Sequence, residues 1–100
     1  MKKMKTATEF QEISKQEFVI VDFYADWCGP CNSLNMILEE LEQERSDLEI
    51  ISIDVDRFRS IAKEYGVISI PAIKVFSKGK VIKEKQGLLR KDELLSFIEE

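Results

Sequence analysis

The fold is decided by FVIVDFYADWCGPC, residues Phe18 to Cys31. Phe18 to Phe23 is β-branched and aromatic, and it is bounded by charge before and by Gly29-Pro30 after. Such a run reads as a central strand buried on both faces. Asp22 interrupts it, and an ionised carboxylate there is costly unless it is paired, hydrogen-bonded or kept protonated.

The strand delivers two cysteines, Cys28 and Cys31, to the expected start of a helix. Residues three apart lie over one helical turn, so the two sulfurs can close a disulfide with little backbone movement. The helix terminus offers unpaired N–H groups and the positive end of the dipole, which favour a thiolate on the first cysteine. Pro30 fits because a first-turn residue has no helical partner for its N–H. Trp27 supplies an aromatic wall and Gly29 an open backbone, so Cys28 reads as an exposed nucleophile and Cys31 as a shielded resolving thiol.

Trp27-Cys28-Gly29-Pro30-Cys31, preceded by Val21-Asp22-Phe23-Tyr24-Ala25, resembles the active site of the thioredoxin family, and the likeness extends over nearly the whole chain. A bare C-x-x-C also serves zinc sites and structural bridges; five matched residues after a buried Asp are far more specific. The resemblance implies a thioredoxin fold: an α/β, three-layer α/β/α domain over residues 1–100. It has a mixed central sheet with a parallel core and an antiparallel edge hairpin, and about four helices.

Composition sets the outer bounds. One hundred residues suffice for one domain with a real core. Apolar residues at 44%, charged residues at 34% and a net charge of -4 suit a soluble domain and provide no basic patch for nucleic acid. Glu39, Glu40, Glu42 and Glu44 read as a solvated helix face. MKKMKTATEF lacks an apolar signal region, no membrane span is expected, and both cysteines fall in the motif, so a cytoplasmic location is the expectation.

Along the chain, weak strand character at Lys3 to Lys5 precedes Thr8-Glu9-Phe10-Gln11, a candidate capping box for a short helix that buries Phe10 and Ile13. After the central strand, Leu34, Ile37, Leu38 and Leu41 form one apolar stripe of a helix ending near Arg45. Leu48 to Val55 reads as a strand, and Asp56 can cap a third helix carrying Phe58, Ile61, Ala62 and Tyr65, stopped by Gly66. Ala72 to Ser77, a Lys78-Gly79 turn and Val81 to Gln86 read as a hairpin. Lys91 to Glu99 reads as a final helix burying Leu94, Phe97 and Ile98, which completes the order β-α-β-α-β-α-β-β-α.

The resemblance also implies site residues. Pro71, which alone reads as a trans proline opening a strand, would be cis and lie against the cysteine pair, with Ile70 pairing to substrate as an added strand. Ser69, Gly87 and Trp27 would complete an apolar rim around Gly29 and Pro30. The implied activity is reduction of protein disulfides by thiol-disulfide exchange, with Asp22 as base for Cys31. The implied partners are disulfide-containing clients and a thioredoxin reductase. The protein is expected to act as a monomer with no cofactor beyond the Cys28–Cys31 pair and no metal.

Several residues depart from the family pattern. Ser52 stands where a lysine often faces the buried Asp, so Asp22 is expected to stay protonated to higher pH than in relatives with that lysine. Met36 replaces a helix-kinking proline, Asn32 a lysine, Tyr24 a frequent tryptophan, and Arg90 a small hydroxyl cap. Lys74 reads as a snorkelling surface lysine. A Cys/His zinc site within the chain is excluded by two cysteines and no histidine. A non-catalytic binding module and an oxidising or isomerising enzyme are the alternatives, and Gly29-Pro30 places no cation between the cysteines to favour the latter.

Overall fold

The structure is a computed structural model describing residues 1–100. Nine elements follow in order: β1 (Lys2–Lys3), α1 (Ala7–Ile13), β2 (Val19–Tyr24), α2 (Gly29–Glu44), β3 (Ile50–Asp54), α3 (Arg59–Glu64), β4 (Ala72–Ser77), β5 (Lys80–Gln86) and α4 (Lys91–Glu99). They build one five-stranded sheet ordered β1-β3-β2-β4-β5. β3 lies parallel to both β1 and β2, whereas β4 is antiparallel to β2 and to β5. The expected thioredoxin fold, with a parallel part, an antiparallel edge hairpin and four helices, is present.

Every residue of β2 is buried, because the strand sits mid-sheet with helices on both faces. Its side chains alternate between two cores. Val19, Val21 and Phe23 join Phe10 and Ile13 of α1, Ile61 of α3 and Phe76 of β4. Ile20 joins Leu34, Leu38 and Leu41 of α2 and Leu94 and Ile98 of α4. Asp22 shares the face of Ile20, beneath α2. No helix is long and apolar enough to cross a membrane.

Local chemistry sets the element ends, and in places differs from the sequence reading. β1 covers Lys2–Lys3 rather than Lys3 to Lys5. The first helix is capped by Thr6, whose hydroxyl accepts from the Glu9 N–H at 3.1 Å, while Glu9 accepts from the Lys5 N–H; the expected box at Thr8 and Gln11 is absent. Thr6 wins because its backbone is extended (φ -141°, ψ 154°), as an N-cap requires, whereas Thr8 is already inside the helix. Before α3, Asp54 rather than Asp56 closes the turn, its carboxylate accepting from the Asp56 N–H at 2.9 Å. Gly66, at φ 67°, ends that segment as expected. Lys78 and Gly79, at φ 52° and 84°, form the hairpin turn.

α2 runs unbroken through Met36. At α4, Arg90 has no acceptor to offer, so only the reciprocal half of a capping box forms, with Glu93 accepting from the Arg90 N–H at 3.0 Å. The acidic face of α2 is exposed at Glu39, Glu40 and Glu44, as expected, and carries ion pairs: Lys91 bridges Glu40 and Glu44, and the Met1 ammonium meets Glu42.

Lys74 also differs from expectation. Its side chain lies on the face opposite Ile73 and Val75, as its parity requires, yet it is 5% exposed and its ammonium pairs with Glu84 at 2.7 Å. β4 is covered on both faces, so there is no solvated side for the lysine to reach, and the charge is compensated by its register partner on β5. Nearby, Phe10, Tyr65 and Phe76 pack edge to face with centroids 5.1–5.7 Å apart. Replacing the fully buried Phe76 by alanine is expected to cost about 3–5 kcal/mol, read by urea denaturation, from lost burial plus the cavity left between α1 and α3.

Candidate active site

The site stands where β2 ends and α2 begins. Tyr24 and Ala25, buried at the strand end, pack with Cys28 and Cys31 in a separate small cluster against which Val55 and Ile70 rest. Cys28 is the N-cap of α2, with extended backbone (φ -89°, ψ 109°), and its sulfur accepts from the Cys31 N–H at 3.2 Å. An N-cap acceptor is normally a side-chain oxygen; here a sulfur takes that place, so a negative charge on it meets a donor and the helix dipole. Pro30 occupies the first turn as expected.

The two cysteines form a disulfide with Cα atoms 5.2 Å apart. Cys28 is 5% exposed and Cys31 has no exposure. The asymmetry has the expected direction, but Cys28 is far less open than the sequence reading anticipated, because Ala25, Tyr24 and Ile70 crowd its base.

The Ile70-Pro71 peptide bond is cis. Pro71 is bound across to the last loop, its carbonyl accepting from the Gly87 N–H at 2.8 Å, and Ser69 donates its hydroxyl to Gln86 at 2.8 Å. Ile70 rests against the cysteine cluster, and these two hydrogen bonds tie Ser69 and Pro71 beside it to the end of β5 and the loop that follows. Trp27 stands 72% exposed, its indole N–H donating to Asp56 at 2.8 Å.

That role for Asp56 was not read from the sequence, where the residue looked like a helix cap. Asp54 accepts the N–H of Asp56 in the turn before α3, whose N-cap position falls at Phe58 with no side-chain cap, and the Asp56 carboxylate instead holds the indole. Also unforeseen is a groove of about 320 Å³ lined by Val55, Ala62, Val67 and Ile68, with Arg59 and Lys63 at its rim. Ile68 is 90% exposed; it lies in an irregular segment, where no periodicity marks its direction.

Asp22, on the β2 face that α2 covers, has no exposure, and neither of its oxygens has a hydrogen-bond partner. Burial pushes its carboxyl up from 3.8 to about 7. The residue beside it on β3 is Ser52, in register, so the position that faces the acid carries a hydroxyl and no charge. Lys74 gives no compensation, since it points from the other face of the sheet toward Glu84. Among His, Cys, Asp and Glu side chains, no group of three or more is placed to hold a metal ion.

The Asp22 shift carries a stability consequence of definite sign. A carboxyl whose folded value is raised holds its proton while the unfolded chain has lost it, so ionisation opposes folding. Between about pH 4 and 7 the Asp22 contribution is expected to fall by about 1.4 kcal/mol per pH unit and then level off. Urea denaturation from pH 4 to 8 checks this: Asp22→Asn should lack that slope and exceed wild type in stability above pH 7.

The thioredoxin family model matches residues 1–100. A thioredoxin of Mycoplasmoides gallisepticum is 40% identical over 88 residues, covering 88% of each chain. A Bacillus subtilis thioredoxin is 39% identical over 94 residues, 93% of this chain and 90% of that one. Among solved structures, a mutant thioredoxin from Halobacterium salinarum superposes with a TM-score of 0.89 at 35% identity, covering 98% of this chain and 87% of that one. Plasmodium falciparum thioredoxin reaches 0.91 at 31% identity, covering 99% and 97%.

Proposed function

The chain belongs to the thioredoxin family, and from that premise we propose that Cys28 is its nucleophile, Cys31 its resolving thiol and Asp22 the base that serves Cys31. The protein is a thiol-disulfide oxidoreductase that reduces protein disulfides by dithiol-disulfide exchange. The observation that carries the division of roles is the Cys28 sulfur at the helix N-cap, accepting from the Cys31 N–H. A thiolate formed there is stabilised, whereas Cys31, inside the first turn and without exposure, has no such help.

In the reduced protein the Cys28 thiolate attacks one sulfur of a client disulfide, and the other client sulfur leaves as a thiolate. Cys31 then gives its proton to Asp22 and its sulfur attacks Cys28. The mixed disulfide breaks, the second client sulfur leaves with the electron pair, and the Cys28–Cys31 disulfide remains. Two electrons have passed to the client, and the dithiol itself held them, so the cycle uses no bound cofactor. A base buried with no compensating charge titrates near the pH at which the thiol must be deprotonated, which supports the role given to Asp22.

Trp27, Gly29, Pro30, Ser69, Ile70, Pro71 and Gly87 form the docking rim in this account, with the Ile70 backbone pairing to the client as an added strand. The half-buried Ile70 against the cysteine cluster supports that placement. A thioredoxin reductase recharges the disulfide. The chain acts as one domain over residues 1–100, as a monomer, in the cytoplasm, where its two motif cysteines can be cycled rather than locked.

Single-turnover reaction with a disulfide-bearing protein separates the sulfurs. Cys31→Ser is expected to accumulate a Cys28-linked adduct, detected by mass spectrometry under non-reducing conditions, and Cys28→Ser to form none. An adduct through Cys31 in Cys28→Ser, arising as fast as the wild-type reaction, would reverse the assignment.

A further inference from the structure

The groove between α3 and the Val67-Ile68 segment combines two chemistries. Val55, Ala62, Val67 and Ile68 give it an apolar lining, and Arg59 and Lys63 stand at its rim. We propose that this groove is a second docking site for the client, and that it selects an acidic segment: one apolar side chain seats against Ile68 while neighbouring carboxylates meet Arg59 and Lys63. The inference rests on the reading of Cys28 as the sulfur that attacks the client and adds the kind of client it meets.

The groove is continuous with the reactive site. Val55 lines it and also packs against the cluster of Tyr24, Ala25, Cys28 and Cys31. Ile68 stands two residues before Ile70, whose backbone pairs with the client in the account above. An extended chain advances about 3.3–3.6 Å per residue, so a client held at Cys28 enters the groove within a few residues of its own cysteine.

Its size and lining suit a side chain. At about 320 Å³ the groove lies at the small end of ligand pockets, with room for one or two residues and not for a cofactor. Ile68, at 90%, is the most exposed of the large hydrophobic residues. A lone exposed isoleucine is ordinary, but this one extends an apolar surface that Val55 and Val67 begin, and a surface of that kind is stabilised when a partner covers it.

The rim decides the charge of that partner. Arg59 and Lys63 are four residues apart on α3, so they share one side of the helix, and both are exposed. Neither is taken up by an ion pair; the basic side chains so engaged are Lys2, Arg45, Lys74, Arg90 and Lys91. Of the acids in the same stretch, Asp54 accepts the Asp56 N–H, Asp56 holds the Trp27 indole, and Glu64 does not line the groove. On a chain of net charge -4 the groove is thus a local reversal of sign, which draws in carboxylates and repels a basic segment.

The test compares three disulfide-bridged peptides that carry Glu-Leu, Lys-Leu or Glu-Gly beside the bridging cysteine. Their second-order rates of reduction are measured with wild type, with Arg59→Glu combined with Lys63→Glu, and with Ile68→Ser. At low salt wild type is expected to reduce the Glu-Leu peptide about tenfold faster than the Lys-Leu peptide, a ratio that shrinks toward one at about 0.5 M salt. The double charge reversal should invert the ratio, an effect that a general disturbance of the fold would not produce. Ile68→Ser should slow the Glu-Leu peptide by about three- to tenfold and the Glu-Gly peptide far less. Equal wild-type rates for Glu-Leu and Lys-Leu, a ratio untouched by the reversal, or an equal loss on both Glu peptides in Ile68→Ser overturns the proposal and leaves Cys28 as nucleophile. Wild type sedimenting as a dimer with Ile68→Ser as a monomer would give the groove to a second copy, and also overturns it. If Cys31→Ser forms no Cys28-linked adduct with any of the peptides, the reading of Cys28 as the attacking sulfur fails, and the docking site built on it falls too.

Discussion

The structure depends on the burial of one carboxyl group. Asp22 occupies the middle of a strand covered on both faces, where an apolar residue would be the cheaper choice, and the fold supplies neither a cation nor a donor to offset it. Its energetic cost is avoided while it is protonated and reappears when it ionises. A group held in that condition is poised to take a proton, and in the role proposed for it that proton comes from Cys31. The stability of the domain and the chemistry of its site are therefore set against each other at a single residue.

The surrounding elements make that arrangement rigid. β2 is clamped between β3 and β4, and its end delivers Tyr24 and Ala25 directly to Cys28. α2 is capped by Cys28 and descends over the face that carries Asp22, so one helix both holds the Cys28 sulfur at its N-terminus and packs Leu34 and Leu38 over that face. On the other face Phe10, Tyr65 and Phe76 fill the space under α1 and α3 and have no part in the chemistry. The division of labour follows from the alternation of β2, whose odd residues serve the scaffold and whose even residue at 22 serves the site.

Much of this was legible in the residues alone. The β-branched and aromatic run from Phe18 to Phe23, broken only by Asp22, reads as a central strand, the stripe of Leu34, Leu38 and Leu41 as a helix face, and Lys78-Gly79 as a hairpin turn. The cis peptide at Pro71 followed from the family resemblance carried by Trp27 to Cys31, since the residues around Pro71 alone read as trans. What stayed hidden depended on three-dimensional competition. Asp54 and Asp56 have the same chemistry two residues apart, and only the local backbone decides that one turns the chain while the other holds Trp27. Lys74 alternates like a surface residue, but the β4 face it points to is covered, so Glu84 on the edge strand became its partner. Ser52 showed in sequence only as a missing lysine; that it lies in one rung with Lys3 and Asp22 is a fact of register.

The most direct measurement is the titration of Asp22 itself, followed through its side-chain carboxyl carbon by NMR in the oxidised protein. The account requires a midpoint near 7, set by burial without a compensating charge. A midpoint in the ordinary carboxylate range, about 4, would mean that Asp22 is stabilised as an anion by a partner, and the uncompensated buried carboxyl at the centre of this description would not exist.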